Sequence, residues 1–237
     1  MSDVLFTKEN LDQYLKELSK EFRKRAGTKM PAEIILIGGA SILINYGFRE
    51  MTYDMDAIIQ ASSAMKDAIN QVGDRMGLPN GWLNTDFMKT SSYTPKLIQY
   101  SKYYKTFSNI LKIRTVSAEY LIVMKLMAGR QYKNDLSDVI GILLEQQKSG
   151  KQLFLDDIKR AAEELYDSYL QLPEASRAFI EAAYQTTDLA DLYQTIRHTE
   201  MANKTVLSDF QEDYPNVLTE GNLSDILKAA RERKNIP

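Results

Sequence analysis

Asp54 and Asp56 stand two residues apart at the start of the run Asp-Met-Asp-Ala-Ile-Ile-Gln. Alternate side chains of an extended strand share a face, so the two carboxylates are expected to point the same way, about 7 Å apart. Such a pair can share hard divalent cations. Magnesium favours a few carboxylates completed by water and phosphate oxygens, and manganese accepts similar donors. Upstream, Gly38 and Gly39 close an apolar run, Ile34 to Ile37. A tight glycine turn between a strand and a helix lets backbone N–H groups approach a phosphate, and the helix N-terminus adds positive partial charge. Each feature also has an ordinary reading: aspartates can decorate an exposed strand end, and glycines can serve the turn alone.

The combination is more specific than its parts. The order is strand, Gly-Gly, short helix, Arg49, Thr52, Asp54 and Asp56, with twelve residues between Ser41 and Asp54. The segment GGASILINYGFREMTYDMDAII resembles the opening motif of the polymerase-β-like nucleotidyltransferases. Its spacing is most similar to the branch of abortive-infection toxins and related uncharacterised proteins. The likeness extends to SAEYLIVMKLMAGRQYKNDLSDVIGIL, where that branch places a helical lysine and then Asp-x-x-Asp, here Lys125, Asp135 and Asp138; GLPNGWLN around Trp82 is similar too. The resemblance covers residues 30–145 and nothing after 150.

That resemblance implies an α+β fold, with a mixed sheet flanked by helices as the nucleotidyltransferase core and an all-helical C-terminal region. It implies that Gly38, Gly39 and Ser41 hold a nucleoside triphosphate and that Asp54 and Asp56 hold magnesium or manganese. It further implies that Lys125 meets phosphate or assists the attacking group, with Asp135 and Asp138 completing the catalytic set. The expected reaction moves a nucleoside monophosphate to a hydroxyl of a tRNA or protein acceptor, in a toxin–antitoxin or phage-defence setting. Two departures stand out. Ala40 occupies the place where the family commonly has Ser or Thr, and the hydroxyl comes one residue later, at Ser41. Residues 87–118 contain no Asp or Glu, so a third carboxylate must come from Asp86, Glu119, Asp135 or Asp138. The alternative is therefore an inactive nucleotidyltransferase-like subunit that binds or regulates. Asp135 also reads as an N-cap, with Asp138 in the first helical turn, and Lys125 as a solvated helix residue.

Several elements must position these groups. Thr7 is a cap for a helix with Leu11, Tyr14, Leu15, Leu18 and Phe22 at three- and four-residue steps, ending near Gly27. A strand over Ile34–Ile37 is buried on both faces, because its apolar run is continuous. Helices follow at 40–46 and 62–76, with the Asp54 strand between them. Residues 96–116 read as two strands about a turn near Thr106–Asn109, Ser117 opens a helix to Ala128, and Asp135 opens another to Lys148. Helical periodicity then continues near 155–170, 174–184, 188–210 and 222–234. The chain is expected to divide into 1–149 and 150–237.

Composition narrows the field. Of 237 residues 44% are hydrophobic, which suffices for a sizeable core, and the absence of cysteine excludes disulfides, thiolate zinc sites and a cysteine nucleophile. His198 is the single histidine and reads as a surface or interface residue. Lacking a leader-like start or an 18-residue apolar stretch, the sequence predicts a cytoplasmic protein that spans no membrane. Net charge is −2, yet residues 1–150 carry 20 Lys/Arg against 16 Asp/Glu, and 151–237 carry 10 against 16. Within 87–118, six cations alternate with Phe87, Tyr93, Tyr100, Tyr103, Tyr104 and Phe107. That pattern suits an RNA-binding surface, or a hairpin whose aromatics pack and whose lysines guard an exposed edge.

Overall fold

The computed structural model describes residues 5–219 and 221–234. The first helix, α1 (Lys8–Ala26), opens on a reciprocal cap. The Asn10 N–H donates to the Thr7 hydroxyl at 3.4 Å, and the Thr7 N–H donates to Asn10 Oδ1 at 2.8 Å. Leu11, Leu15, Leu18 and Phe22 form its buried stripe. After Gly27 the chain enters β1 (Ala32–Leu36), turns into α2 (Gly38–Asn45) and returns as β2 (Met55–Gln60). Next come α3 (Ala64–Met76) and a two-residue strand, β3 (Leu83–Asn84). A hairpin of β4 (Ser101–Phe107) and β5 (Leu111–Val116) completes the sheet.

The strand order is β3-β2-β1-β5-β4. β1 runs antiparallel to β2 and parallel to β5, β2 is parallel to β3, and β4 is antiparallel to β5. Strand periodicity sends Ile34 and Leu36 to one face and Ile35 and Ile37 to the other, and all four are fully buried. The first face packs on α1 and α3. The opposite face receives α4 (Ala118–Ala128), α5 (Asp135–Lys148), α6 (Leu155–Tyr166) and α7 (Glu174–Gln185). Behind α5 lies the 25-residue α8 (Leu189–Asp213), followed by α9 (Leu223–Lys234). The fold is thus α+β, a five-stranded mixed sheet flanked by helices with a helical C-terminal region.

Several details differ from the sequence expectations. Pro95–Ile98 forms a 3₁₀ turn, because Pro95 lacks a ladder donor and the Thr94 side chain accepts from the Lys96 N–H, so β4 starts only at Ser101. Ser108 and Asn109 take positive φ (50° and 55°), which reverses the β4–β5 hairpin tightly. Asp167, at φ 66°, stops α6 at Tyr166, short of the expected 170. Helix stands on both sides of residues 148–153, α5 before and α6 after, and one core spans the join. Ile158, Ala161, Leu165 and Ile180 from beyond it share one apolar cluster with Ile35, Ile58 and Leu121 from before it.

Candidate functional site

β1 delivers the chain into the Gly-Gly turn, and the Ile37 N–H fastens that turn to β2 by donating to the Asp56 carbonyl at 2.9 Å. Gly38 sits at φ 52°, a conformation that costs a side-chain-bearing residue about 1 kcal/mol or more. At Gly39 the constraint is contact. A Cβ there would run into Thr52 Oγ1 and would lie 3.1 Å from Arg49 Nη2. α2 therefore starts beside a guanidinium, and its N-cap, Ile37, has no side chain that could accept from the first helical N–H groups.

Thr52 is buried and held by a backbone bridge, its N–H donating to Phe6 O at 2.9 Å and its carbonyl accepting from the Phe6 N–H at 2.8 Å. Its hydroxyl lies 3.3 Å from both the carbonyl and Oδ1 of Asp54. Asp54 is exposed and Asp56 half-buried. Asp56 Oδ2 lies 4.0 Å from where a Gly38 Cβ would stand, so its carboxylate faces the turn. Among the described residues no side-chain hydrogen bond or ion pair reaches that carboxylate. Burial, then the neighbouring Asp54 charge, push its pKa above the usual carboxylate value, against the pull of Lys133, Arg130 and Lys125.

A second set of charges lies between α4 and α5. Lys125, with only a tenth of its side chain exposed, reaches Asp135 Oδ1 at 2.8 Å and Asp138 Oδ2 at 2.9 Å. Arg130 grips Asp135 with Nε at 2.7 Å and Nη2 at 3.3 Å. Arg49 Nη1 donates to Asp138 Oδ2 at 2.6 Å, while Arg49 Nε donates to Met51 O at 3.1 Å. Burial alone would lower the Lys125 pKa, but Asp135 and Asp138 outweigh it and hold the group above its ordinary value as an ammonium. Burial opposes the charge on Asp135 as well, and Lys125 and Arg130 prevail, holding that carboxyl well below the usual range. Arg49 joins the two sets, with one nitrogen on Asp138 and another against Gly39. That joint is visible in the sequence only as an arginine between the Gly pair and Asp54.

Not every expected residue faces the turn. Ser41 is fully buried, and its hydroxyl accepts from the Val116 N–H at 3.2 Å and from Asn45 Nδ2 at 3.4 Å. It braces α2 against β5 from inside the fold, on the side away from Gly39. Lys125 is a buried ion-pair partner, and Asp135 and Asp138 are engaged by cations; Asn134, one residue earlier, takes the N-cap position. Among the described residues no three acidic or histidine side chains gather to hold a metal ion. Asp86 pairs with Lys89 at the surface, and Asn84 is the β3 partner of Asp56.

Over residues 13–188 the chain matches the model of a family described as nucleotidyltransferase of unknown function (DUF6036). The chain belongs to this family. No curated protein and no solved structure matches it. The matched span of this nucleotidyltransferase family contains the Gly-Gly turn, Arg49, both aspartates of β2 and the whole Lys125–Asp138 set, and it runs across residues 148–153 without interruption. No helix among the described residues is long and apolar enough to cross a membrane.

The basic stretch is largely compensated from elsewhere in the chain. Lys96 pairs with Asp167, Lys105 with Asp12, and Lys112 and Arg114 both approach Glu33. Tyr100 stacks on Tyr120 with centroids 4.0 Å apart, and the Tyr104 hydroxyl donates to Asp12 at 2.9 Å. β4 lies at the sheet edge and exposes Lys102, Tyr103 and Lys105, as expected of an edge guarded by lysines.

Proposed function

We propose that this nucleotidyltransferase-family protein binds a nucleoside triphosphate at the start of α2 and transfers its nucleoside monophosphate to a hydroxyl of an RNA or protein acceptor. The observation that carries the reading is the half-buried Asp56 carboxylate. It faces Gly38, stands beside another carboxylate and has no protein partner among the described residues. A buried charge is tolerated when something compensates it. Two carboxylate oxygens together with phosphate oxygens and water suit a hard divalent cation, so the donor set fits magnesium or manganese.

In this reading Gly38 and Gly39 let the backbone N–H groups of α2 approach the phosphates, and Arg49 Nη2 stands beside them as a further donor. Lys125, locked as an ammonium, contributes positive potential from behind. Asp54 and Asp56 would hold the metal, which when bound would neutralise developing charge on the phosphate oxygens. The acceptor oxygen bonds to the α-phosphorus, the bond from that phosphorus to the bridging oxygen breaks, pyrophosphate departs, and the hydroxyl proton passes to solvent. A tRNA or protein acceptor in a toxin–antitoxin or phage-defence system is the class that the sequence resemblance suggests.

One observation favours a second reading, a subunit that binds nucleotide without turnover: no third carboxylate joins Asp54 and Asp56 among the described residues. Incubation of the protein with four labelled nucleoside triphosphates, magnesium and total RNA or cell extract separates the two. Label on an acceptor, lost in Asp56→Asn, supports transfer. Magnesium-dependent binding without label transfer supports the second reading, and no binding at all rejects both.

A further inference from the structure

α8 lies beyond the matched span of 13–188, yet it reaches the first turn of α5. The N-cap of α5, Asn134, makes no side-chain cap bond. The amides that a cap would serve donate instead to a residue 63 and 64 positions away. The Leu136 N–H reaches Glu200 Oε1 at 2.8 Å and the Ser137 N–H reaches the same oxygen at 3.4 Å, while the Ser137 hydroxyl donates to Glu200 Oε2 at 2.5 Å. These are the second and third helical positions, where an N-cap oxygen normally binds, and a carboxylate there also meets the positive end of the helix dipole. Less than one turn further along α8, Asn203 Nδ2 donates to Gln131 O at 2.6 Å. Lys204 lies over the ring of Tyr53, 5.2 Å from its centroid and next in sequence to Asp54.

α8 thus holds both loops that border the proposed site. The segment it clamps, 131–137, is flanked by Arg130 and Asp138 and contains Lys133 and Asp135. Glu200 is almost fully buried, so removing its carboxylate leaves two amides and a hydroxyl without acceptors. The rest of α5 is anchored by Val139, Ile140, Ile142 and Leu143 in the core and does not depend on that cap. Its loss would therefore release the first turn and shift Asp135 and Asp138 relative to Lys125 and Arg49.

We infer that Glu200 is a positioning residue of the nucleotide site, capping α5 from α8 and thereby setting where Lys125 and Arg49 stand. The inference rests on the nucleotide reading above. Its test is calorimetric titration of the full chain, as wild type, Glu200→Ala, Glu200→Gln and Asp56→Asn, with ATP, GTP, CTP and UTP, each with and without magnesium. Because Glu200 acts through the positive charge of Lys125 behind the turn and of Arg49 beside it, Glu200→Ala should lose about tenfold in affinity in both conditions. Asp56→Asn should lose only the magnesium-dependent part. Glu200→Gln, which keeps one acceptor oxygen, should restore most of the affinity. Hydrogen exchange should show faster exchange at Leu136 and Ser137 with Ile140–Leu143 still protected, a pattern that global destabilisation does not give. Wild-type affinity in Glu200→Ala alongside a loss in Asp56→Asn overturns the inference and leaves the nucleotide reading standing. Unchanged binding in Asp56→Asn, or no nucleotide bound by the wild type, removes the reading and the inference with it. If Glu200→Ala does not fold, Glu200→Asp, with its carboxylate withdrawn by one methylene, is judged by the same outcomes.

Discussion

Two clusters of aspartate meet at Arg49 and are treated in opposite ways. Between α4 and α5, Asp135 and Asp138 are buried, and cations at 2.6 to 2.9 Å engage each of them. At the mouth of the Gly-Gly turn, Asp54 and Asp56 face one another's charge, and among the described residues the Asp56 carboxylate has no protein donor. The chemical groups are the same. What differs is whether the fold has already used their charge. A satisfied carboxylate reports on architecture, whereas one kept partly desolvated beside a like charge is the one that the proposed metal and nucleotide would compensate.

The most disruptive way to break this comparison is Asp135→Asn. It leaves Lys125 dependent on Asp138 alone and strips Arg130 of its partner, and loss of one side of such a buried pair costs about 3–5 kcal/mol. Urea unfolding measures that loss; a variant as stable as wild type would remove the distinction between the clusters.

Glu200 gives the next largest effect, as a function of pH. Burial, reinforced by Asp138 and opposed by the bonds from Ser137 and Leu136, raises its pKa from 4.5 to about 7. Between those values the folded chain binds the proton more tightly than the unfolded chain does. The contribution to stability is therefore complete below pH 4.5 and lost as pH rises through about 7, a span of about 3 kcal/mol at most. Denaturant melts of wild type and Glu200→Gln across pH 4.5–8 should differ by this slope, and parallel curves would refute it.

Asp56→Asn sharpens the contrast with Asp135. Because its carboxyl pKa is raised, the ionised form opposes folding at neutral pH, so the amide should hold or raise the melting temperature while magnesium-dependent nucleotide affinity falls. A destabilised Asp56→Asn would mean that this carboxylate, too, is structural.

The smallest effect is expected at Lys105→Glu on the exposed edge strand, where loss of the Asp12 pair should cost under about 1 kcal/mol after solvent screening. A thermal melt reads the cost, and a larger loss would make the edge pair part of the core architecture.

Much of this was legible in the sequence for reasons that can be named. The continuous apolar run Ile34–Ile37 marked the central strand, and the spacing from Gly38 to Asp56 brought the turn and the strand start together. β3 is too short to show a period, and the Asp167 reversal carries no glycine to announce it. Ser41 could be read as a phosphate contact because sequence order does not tell which side of an eight-residue helix faces the sheet. The amphipathic stripes beyond 150 were visible, and their need for a partner face is met by the core of the first half. Glu200 was out of reach altogether, since its partners lie more than 60 residues away and no local pattern distinguishes a capping glutamate from a solvated one.

The backbone bridge between Phe6 and Thr52 carries one further consequence. Phe6 stacks on Trp82 with centroids 6.4 Å apart, and Trp82, the single tryptophan of the chain, is buried with its indole N–H donating to Ile69 O at 3.0 Å. The protein thus carries one tryptophan, whose indole can be excited apart from the tyrosines, coupled through two residues to the wall of the Gly-Gly turn. Its emission should follow any event that moves Thr52, so arrival of the proposed nucleotide at the turn could be timed optically without attaching a dye.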